Sequence, residues 1–132
     1  DDGETWTRTG TKDTWGIYYT RLVARIPGSN AMLLGIGDGT PGTTAAILTS
    51  KDAGQTWQPA ALDTPSNSCM WAFGTNPADP DFMLAASKFG YLYRSTDGGQ
   101  SWTKEWREFN EITDLAWVPG VPSDLGLPHV TT

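Results

Sequence analysis

Apolar and aromatic residues stand in short runs along the chain, and clusters of glycine, proline, asparagine and aspartate separate these runs. Short apolar runs between turn-forming residues predict β-strands, and no stretch keeps a helical period over an adequate length. The predicted strands fall into two groups of four: 20–26, 31–37, 45–50 and 56–60, then 70–75, 82–87, 91–95 and 101–106. A further strand is predicted at 112–118. The pattern therefore predicts an all-β fold built from a repeated four-stranded unit.

One motif marks this repeat. Its two full copies, 50–57 and 95–102, read Ser-x-Asp-x-Gly-x-Thr/Ser-Trp, and a third copy without the serine opens the chain. The motif residues are Asp1, Gly3, Trp6, Ser50, Asp52, Gly54, Trp57, Ser95, Asp97, Gly99 and Trp102. A motif that recurs about every fifty residues is typical of a repeat architecture. Four short antiparallel strands at this period predict the blade of a β-propeller.

The residue types of the motif predict a stapled hairpin turn rather than a catalytic or calcium site. An aspartate in a turn accepts hydrogen bonds from the backbone of that turn, and a serine hydroxyl can complete the same network. Glycine allows the positive φ that such a turn requires. The tryptophan is expected to pack as a large apolar plug.

The motif is similar to the Asp-box, or BNR, repeat of sialidases and of propellers of the photosystem II assembly-factor and sortilin type. The resemblance implies a partial β-propeller with two complete four-stranded antiparallel blades plus flanking partial blades. The implied division is 1–19 for the end of a preceding blade, 20–69 and 70–111 for the two blades, and 112–132 for the first strand of a further blade and a tail.

Composition excludes several classes of function. The formal net charge is −6, whereas a nucleic-acid partner requires a basic surface. No apolar run is long enough to cross a bilayer. Cys69 is the only cysteine, so no internal disulfide can form, and it is expected to be buried; His129 is the only histidine. The sequence therefore predicts no metal and no cofactor, and it leaves the cellular location open, an extracytoplasmic one included.

In propellers that this chain resembles, the Asp-box turns lie opposite the functional face. The resemblance thus implies that a site is formed by loops 38–44 and 88–90 and by inter-blade segments 8–19, 62–69 and 107–111. The candidate binding residues on these segments are Trp15, Tyr18, Asp38, Lys88, Arg107, Glu108 and Glu111. Trp71 and Tyr91 lie within predicted strands and are expected to fill the core between blades.

Four of the charged residues have alternative interpretations. Asp38 lies where sialidases of this fold carry an acid/base aspartate, but an aspartate in a Gly-Pro-rich turn also binds its own backbone. Glu108 and Glu111 are either paired carboxylates for glycosidic chemistry or part of a solvated loop with a local Arg–Glu pair. Arg25 begins an Arg-Ile-Pro sequence like that of sialidases, yet its register places it toward the Asp-box side.

These observations favour a non-catalytic propeller segment that acts as a protein- or glycan-binding scaffold. The alternative is a glycoside hydrolase of the sialidase-like BNR type, with Asp38 as the acid/base candidate. Unpaired strand edges promote association. Further propeller blades, from the same chain or another copy, are therefore the expected partners beside a protein or glycan ligand.

Overall fold

The computed structural model describes residues 1–8, 11–17 and 19–118. These residues form α1 (Thr11–Trp15) and nine strands: β1 (Tyr19–Arg25), β2 (Met32–Gly37), β3 (Ala45–Ser50), β4 (Gln58–Pro59), β5 (Ala61–Leu62), β6 (Met70–Thr75), β7 (Met83–Ser87), β8 (Leu92–Ser95) and β9 (Ser101–Lys104). One sheet has the order β1-β2-β3-β4 and the other β5-β9-β8-β7-β6. Within each group of four, neighbouring strands are antiparallel. The predicted all-β fold is confirmed.

The core lies between the two sheets. Leu33 and Ile47 of the first sheet and Met83, Tyr93 and Trp102 of the second belong to one buried cluster. β2 also buries its other face, where apolar residues of β2 and β3 are covered by α1 and by the first complete motif. Burial of both faces explains why 32–37 is a continuous apolar run instead of an alternating one.

Close approach of β6 to the first sheet depends on a glycine. A Cβ on Gly37 would lie 2.6 Å from the Cβ of Cys69, the residue before β6. Cys69 is fully buried, as the sequence predicts, and burial raises the pKa of its thiol. The missing side chain at Gly37 therefore lets the second sheet pack directly against the first.

The linker between the sheets differs from the prediction. Predicted strand four of the first unit ends early, and the chain then adds β5 in parallel to β9, at the outer edge of the second sheet. The amide of Ala61 donates to the carbonyl of Gln100 at 3.0 Å, and that of Asp63 donates to Trp102 at 3.1 Å. These bonds cover the backbone edge of β9, which would otherwise be unpaired.

The strand predicted at 112–118 is not formed, because no described residue pairs with it in a ladder. Its apolar side chains pack on the second sheet instead. The Cβ of Leu115 lies 3.5 Å from the position of a Cβ on Gly74, and Trp117 meets Phe82 edge-on at 5.0 Å between ring centroids. No helix of the described residues is long and apolar enough to cross a membrane.

Candidate functional site

The Asp-box turns form the predicted staple. In the first full copy, the amide of Thr56 donates to Asp52 Oδ1 at 2.9 Å and its hydroxyl donates to Oδ2 at 2.6 Å. Ser50 Oγ donates to Asp52 Oδ1 at 2.8 Å and accepts from the Gly54 amide at 2.8 Å. Gly54 has a φ of 87°, in the left-handed region. All four residues therefore serve the turn itself.

The second full copy repeats this geometry. Ser101 donates to Asp97 from its amide at 3.0 Å and from its hydroxyl at 2.5 Å, and the Gly99 amide donates to Ser95 Oγ at 2.9 Å. In the copy at the start of the chain, the hydroxyl of Thr5 donates to Asp1 in the same way. The aspartates thus act as hydrogen-bond acceptors within their own turns.

The three motif tryptophans differ in burial. Trp102 is 1% exposed, and its Nε1 donates to the Gly99 carbonyl at 2.9 Å. Trp57 is half-buried and packs on the outer face of the first sheet. Trp6 makes the same bond to Gly3, at 2.8 Å, but is 89% exposed, because no described residue packs over it.

Antiparallel pairing places the Asp-box turns and the turns at 26–31 and 76–82 at one end of the sheets. The opposite end, here called the loop face, carries loops 38–44, 62–69, 88–91 and 105–111. The carbonyl of Pro41 accepts from the amide of Cys69 at 2.6 Å, which joins the loops of the two sheets.

A buried polar network supports the loop face. Asn67 Oδ1 accepts from Ser87 Oγ at 2.7 Å and from Ser68 Oγ at 3.0 Å, while its Nδ2 donates to the Phe89 carbonyl at 3.0 Å. The Phe89 amide in turn donates to Ser68 Oγ at 2.9 Å. Sequence reasoning missed these residues; a Ser-Asn-Ser run next to a buried strand was their only signal. Satisfied polar networks of this kind fix the loop they hold.

Backbone contacts join loop 88–91 to segment 105–111. The Phe109 amide donates to the Gly90 carbonyl at 3.0 Å, and the Ile112 amide donates to the Lys88 carbonyl at 3.2 Å. The Lys88 amide donates to the Cys69 carbonyl at 3.1 Å. Three loops of this face therefore form one hydrogen-bonded unit.

Glu108 and Glu111 bind lysines rather than the neighbouring Arg107. Glu111 forms an ion pair with Lys88, and Glu108 pairs with Lys104 at 3.0 Å. Arg107 instead lies over the Phe109 ring, 5.6 Å from its centroid. The expected local Arg–Glu pair is therefore wrong. The reason is that each glutamate reaches a lysine on or beside the second sheet.

Aromatic side chains on the loop face are exposed. Trp106 is 88% exposed, Phe89 45% and Phe109 41%. The sequence prediction placed Trp106 inside the last strand of the second sheet, but β9 ends at Lys104, so this ring is free of the core. Exposed large aromatics next to charged residues are typical of binding surfaces.

A bulge occurs at the same place in β1 and β6, the first strand of each antiparallel group of four. The extra residue is Arg21 in β1 and Trp71 in β6. The Arg21 guanidinium carbon lies 4.0 Å from the centroid of the Trp71 ring, and Lys88 Nζ lies 4.1 Å from it. Sequence reasoning did not identify Arg21, because a bulge changes the direction of a side chain without altering the apolar pattern.

Asp38 is bound within its own loop. It accepts hydrogen bonds from Thr43 Oγ1 at 2.7 Å, from the Thr43 amide at 2.7 Å and from the Thr44 amide at 3.1 Å. These bonds, the Thr43 hydroxyl first, hold the pKa of Asp38 at about 2. The carboxyl is therefore ionised at neutral pH, as in a structural turn, whereas a general acid must be protonated.

The other candidates lie in different surroundings. Trp15 is half-buried and packs against the core cluster of β2 and β3, so its ring serves the fold. Tyr18 lies outside the described residues. Arg25 is exposed at the end of β1, at the Asp-box end of the sheet. Tyr93, which was not a candidate, is buried in the core; burial raises the pKa of its phenol to about 12, and its hydroxyl donates to the Thr64 carbonyl.

The comparisons with known proteins agree with this geometry. A family model described as BNR/Asp-box repeat matches residues 93–104, which include the second full copy of the motif. A crystal structure of an ancestral GH74 enzyme resembles the fold with a TM-score of 0.52 and 22% sequence identity. The alignment covers 63% of this chain and 12% of that one, and the likeness shows the fold alone. No curated protein matches the sequence significantly. The chain therefore carries Asp-box (BNR) repeats and folds as blades of a β-propeller.

Proposed function

We propose that this chain is part of a non-catalytic Asp-box propeller that binds a glycan on its loop face. The observation that carries the proposal is the set of exposed rings, Phe89, Trp106 and Phe109, on hydrogen-bonded loops. Aromatic rings offer a large apolar surface to the flat face of a sugar and lose little conformational entropy on binding. The neighbour of similar fold is a GH74 enzyme, but one scaffold carries different functions, so the choice of a glycan rests on these rings.

The order of these loops supports binding in a fixed geometry. Asn67 and Ser68 hold the backbone of Phe89 on both sides, and Gly90 holds that of Phe109. The backbones that carry two of the three rings are thus ordered before the ligand arrives, which favours affinity.

The charges of the same face favour binding over catalysis. Asp38 is committed to its own loop, and Glu108 and Glu111 pair with separate lysines. A glycosidase needs one carboxyl that donates a proton and a second that acts as base or nucleophile. These three carboxylates are bound to separate partners and do not form such a pair.

Two exposed apolar residues, Val23 and Trp6, indicate a further partner. Val23 of β1 is 56% exposed and Trp6 is 89% exposed, although both are large apolar residues. We propose that additional propeller blades, from the same chain or another copy, cover these residues. Under this proposal, glycan binding is a property of the full-length protein, and the binding site includes residues beyond this chain.

The test uses the full-length protein that contains this chain and a panel of soluble polysaccharides in affinity gel electrophoresis. Replacement of Trp106 by alanine should weaken binding by about tenfold or more, since one stacked ring at a binding hot spot contributes over 1 kcal/mol. Trp106→Phe is the matched control, because it keeps an aromatic ring at the same exposed position. Equal affinities of the two variants, or no retardation by any polysaccharide, would contradict the proposal.

The alternative function is a glycoside hydrolase with Asp38 as acid/base residue. The likeness to a GH74 enzyme is the observation that favours it. Turnover of chromogenic glycosides by the full-length protein, sialosides included, would support this alternative, and loss of that turnover in Asp38→Asn would locate the site on loop 38–44.

A further inference from the structure

The two bulges bring a cation and an aromatic ring together between the sheets. Arg21 and Trp71 occupy the bulge of β1 and β6, and the guanidinium lies 4.0 Å from the ring centroid. A bulge redirects a side chain out of the regular alternation of a strand. Both side chains of this contact, Arg21 and Trp71, are redirected in this way.

Arg21 has no carboxylate partner in the part of the chain that the structure describes. The three ion pairs found there use Lys88, Arg94 and Lys104 instead. Asp38, on a neighbouring loop, is already bound to its own threonines. The guanidinium of Arg21 is therefore held by stacking alone, and its hydrogen-bond donors are available to a ligand.

Lys88 connects this position to the exposed rings. Its Nζ lies 4.1 Å from the centroid of the Trp71 ring, and the next residue in the chain is Phe89. Two cationic side chains thus touch one ring, and only Lys88 is neutralised, by Glu111. The positive charge of Arg21 is therefore the one at this ring that has no anionic partner among the described residues.

We propose that Arg21 binds a carboxylate of the ligand, and that the ligand is an acidic glycan containing uronic acid residues. The inference rests on the proposed glycan-binding function and names its substrate class. A guanidinium offers a planar pair of donors that matches the two oxygens of a carboxylate. Stacking on Trp71 fixes the plane of that pair, so little freedom is lost on binding.

The test compares polygalacturonate with its methyl-esterified form, which has the same backbone without the negative charges. The full-length wild-type protein should bind polygalacturonate at least about tenfold more tightly, and Arg21→Gln should lose this preference. Arg94→Gln is the matched control, because it removes an arginine that is paired with Glu105 on β8. It should keep the preference.

Other outcomes separate the two proposals. Equal binding of both polymers by the wild-type protein, or an unchanged preference in Arg21→Gln, would overturn the acidic ligand and leave glycan binding intact. Binding of no polysaccharide would overturn both proposals. If Arg21→Gln does not fold, Arg21→Lys decides, since it keeps the charge but not the paired donors. A preference reduced by about threefold or more supports the proposal, and an unchanged one contradicts it.

Discussion

The carbonyl oxygen of Phe109 occupies the space beside Gly90 in which any other residue would carry its side chain. A Cβ on Gly90 would lie only 1.6 Å from that oxygen, and Gly90 has a φ of 92°. The amide of Phe109 donates back to the Gly90 carbonyl at 3.0 Å. The contact between these two backbones therefore sets how closely segment 105–111 approaches loop 88–91.

Replacement of Gly90 by alanine should both destabilise the protein and weaken glycan binding. The left-handed conformation costs about 1–2 kcal/mol for a residue with a side chain, and displacing the Phe109 backbone adds about 1–3 kcal/mol. Gly28→Ala is the control, because Gly28 has a φ of 74° with open space around it. Urea unfolding and affinity electrophoresis of both variants check this. Indistinguishable effects of the two would show that the Phe109 contact is unimportant.

The difference in burial between Trp102 and Trp6 predicts a large difference in stability. Trp102→Ala should lower the free energy of unfolding by about 3–5 kcal/mol, because it empties a fully enclosed site. In this chain alone, Trp6→Ala removes a ring that is 89% exposed and should change stability by less than about 0.5 kcal/mol. In the full-length protein, where the proposed further blade covers Trp6, the loss should be larger, and a loss below about 0.5 kcal/mol there would contradict that cover.

The third prediction concerns a strained position in the first Asp-box. Ala53 has a φ of 58°, and the equivalent residue of the second copy, Gly98, has 72°. Ala53→Gly should raise the free energy of unfolding by about 0.5–1 kcal/mol, since relief of left-handed strain exceeds the added freedom of the unfolded chain. Gly98→Ala should lower it by a similar amount or more. Thermal unfolding measures both, and a destabilising Ala53→Gly would contradict this account.

Much of the fold was predictable because the hydrogen bonds of the Asp-box join residues that are close in sequence. The bonds of Asp52 reach residues no more than four positions away, so the sequence motif alone predicts the turn. The strand groups followed from apolar runs between turn residues. Segment 112–118 was apolar in the same way, yet it formed no ladder, because strand formation depends on a neighbour that the local pattern does not reveal.

The site was less predictable for a related reason. Lys88 and Glu111 were identified from their loops, but Arg21 reaches Trp71 only because both strands carry a bulge. The support of Phe89 by Asn67 joins residues 22 positions apart through a buried network. Such contacts come from tertiary packing, and neither alternation nor motif spacing encodes them.

Stability should fall in acid through the Asp-box carboxylates. The Thr56 hydroxyl and amide, with Ser50, hold the pKa of Asp52 at about 2, below its ordinary value of 3.8. In the unfolded chain this pKa is ordinary, so the unfolded state binds more protons between about pH 4 and pH 2. The stabilisation is therefore complete above about pH 4 and is lost as the pH falls toward 2.

Asp52→Asn should show a smaller decrease of the unfolding free energy between about pH 4.5 and 2.5 than the wild-type protein. The variant should be less stable at pH 7, and the two curves should converge at low pH. Thr56→Ala, which removes only the hydroxyl, should give an intermediate slope because that donor has the largest effect on the pKa. Urea unfolding across this range checks the prediction, and parallel curves for all three proteins would contradict it.

The last prediction uses Asp38 to separate binding from hydrolysis. Since the carboxylate accepts bonds from Thr43 and Thr44, Asp38→Asn should loosen loop 38–44 and reduce stability without abolishing glycan binding. Thr43→Val, which removes the hydroxyl donor but keeps the carboxylate, should weaken the loop in the same direction. A hydrolase would separate the two variants, because only Asp38→Asn would lose turnover while the valine variant retained it. Release of reducing ends from the polysaccharides bound in affinity gels, measured for both variants of the full-length protein, distinguishes these cases. We expect no release that depends on Asp38, because a carboxyl with a pKa of about 2 has no proton to donate at neutral pH.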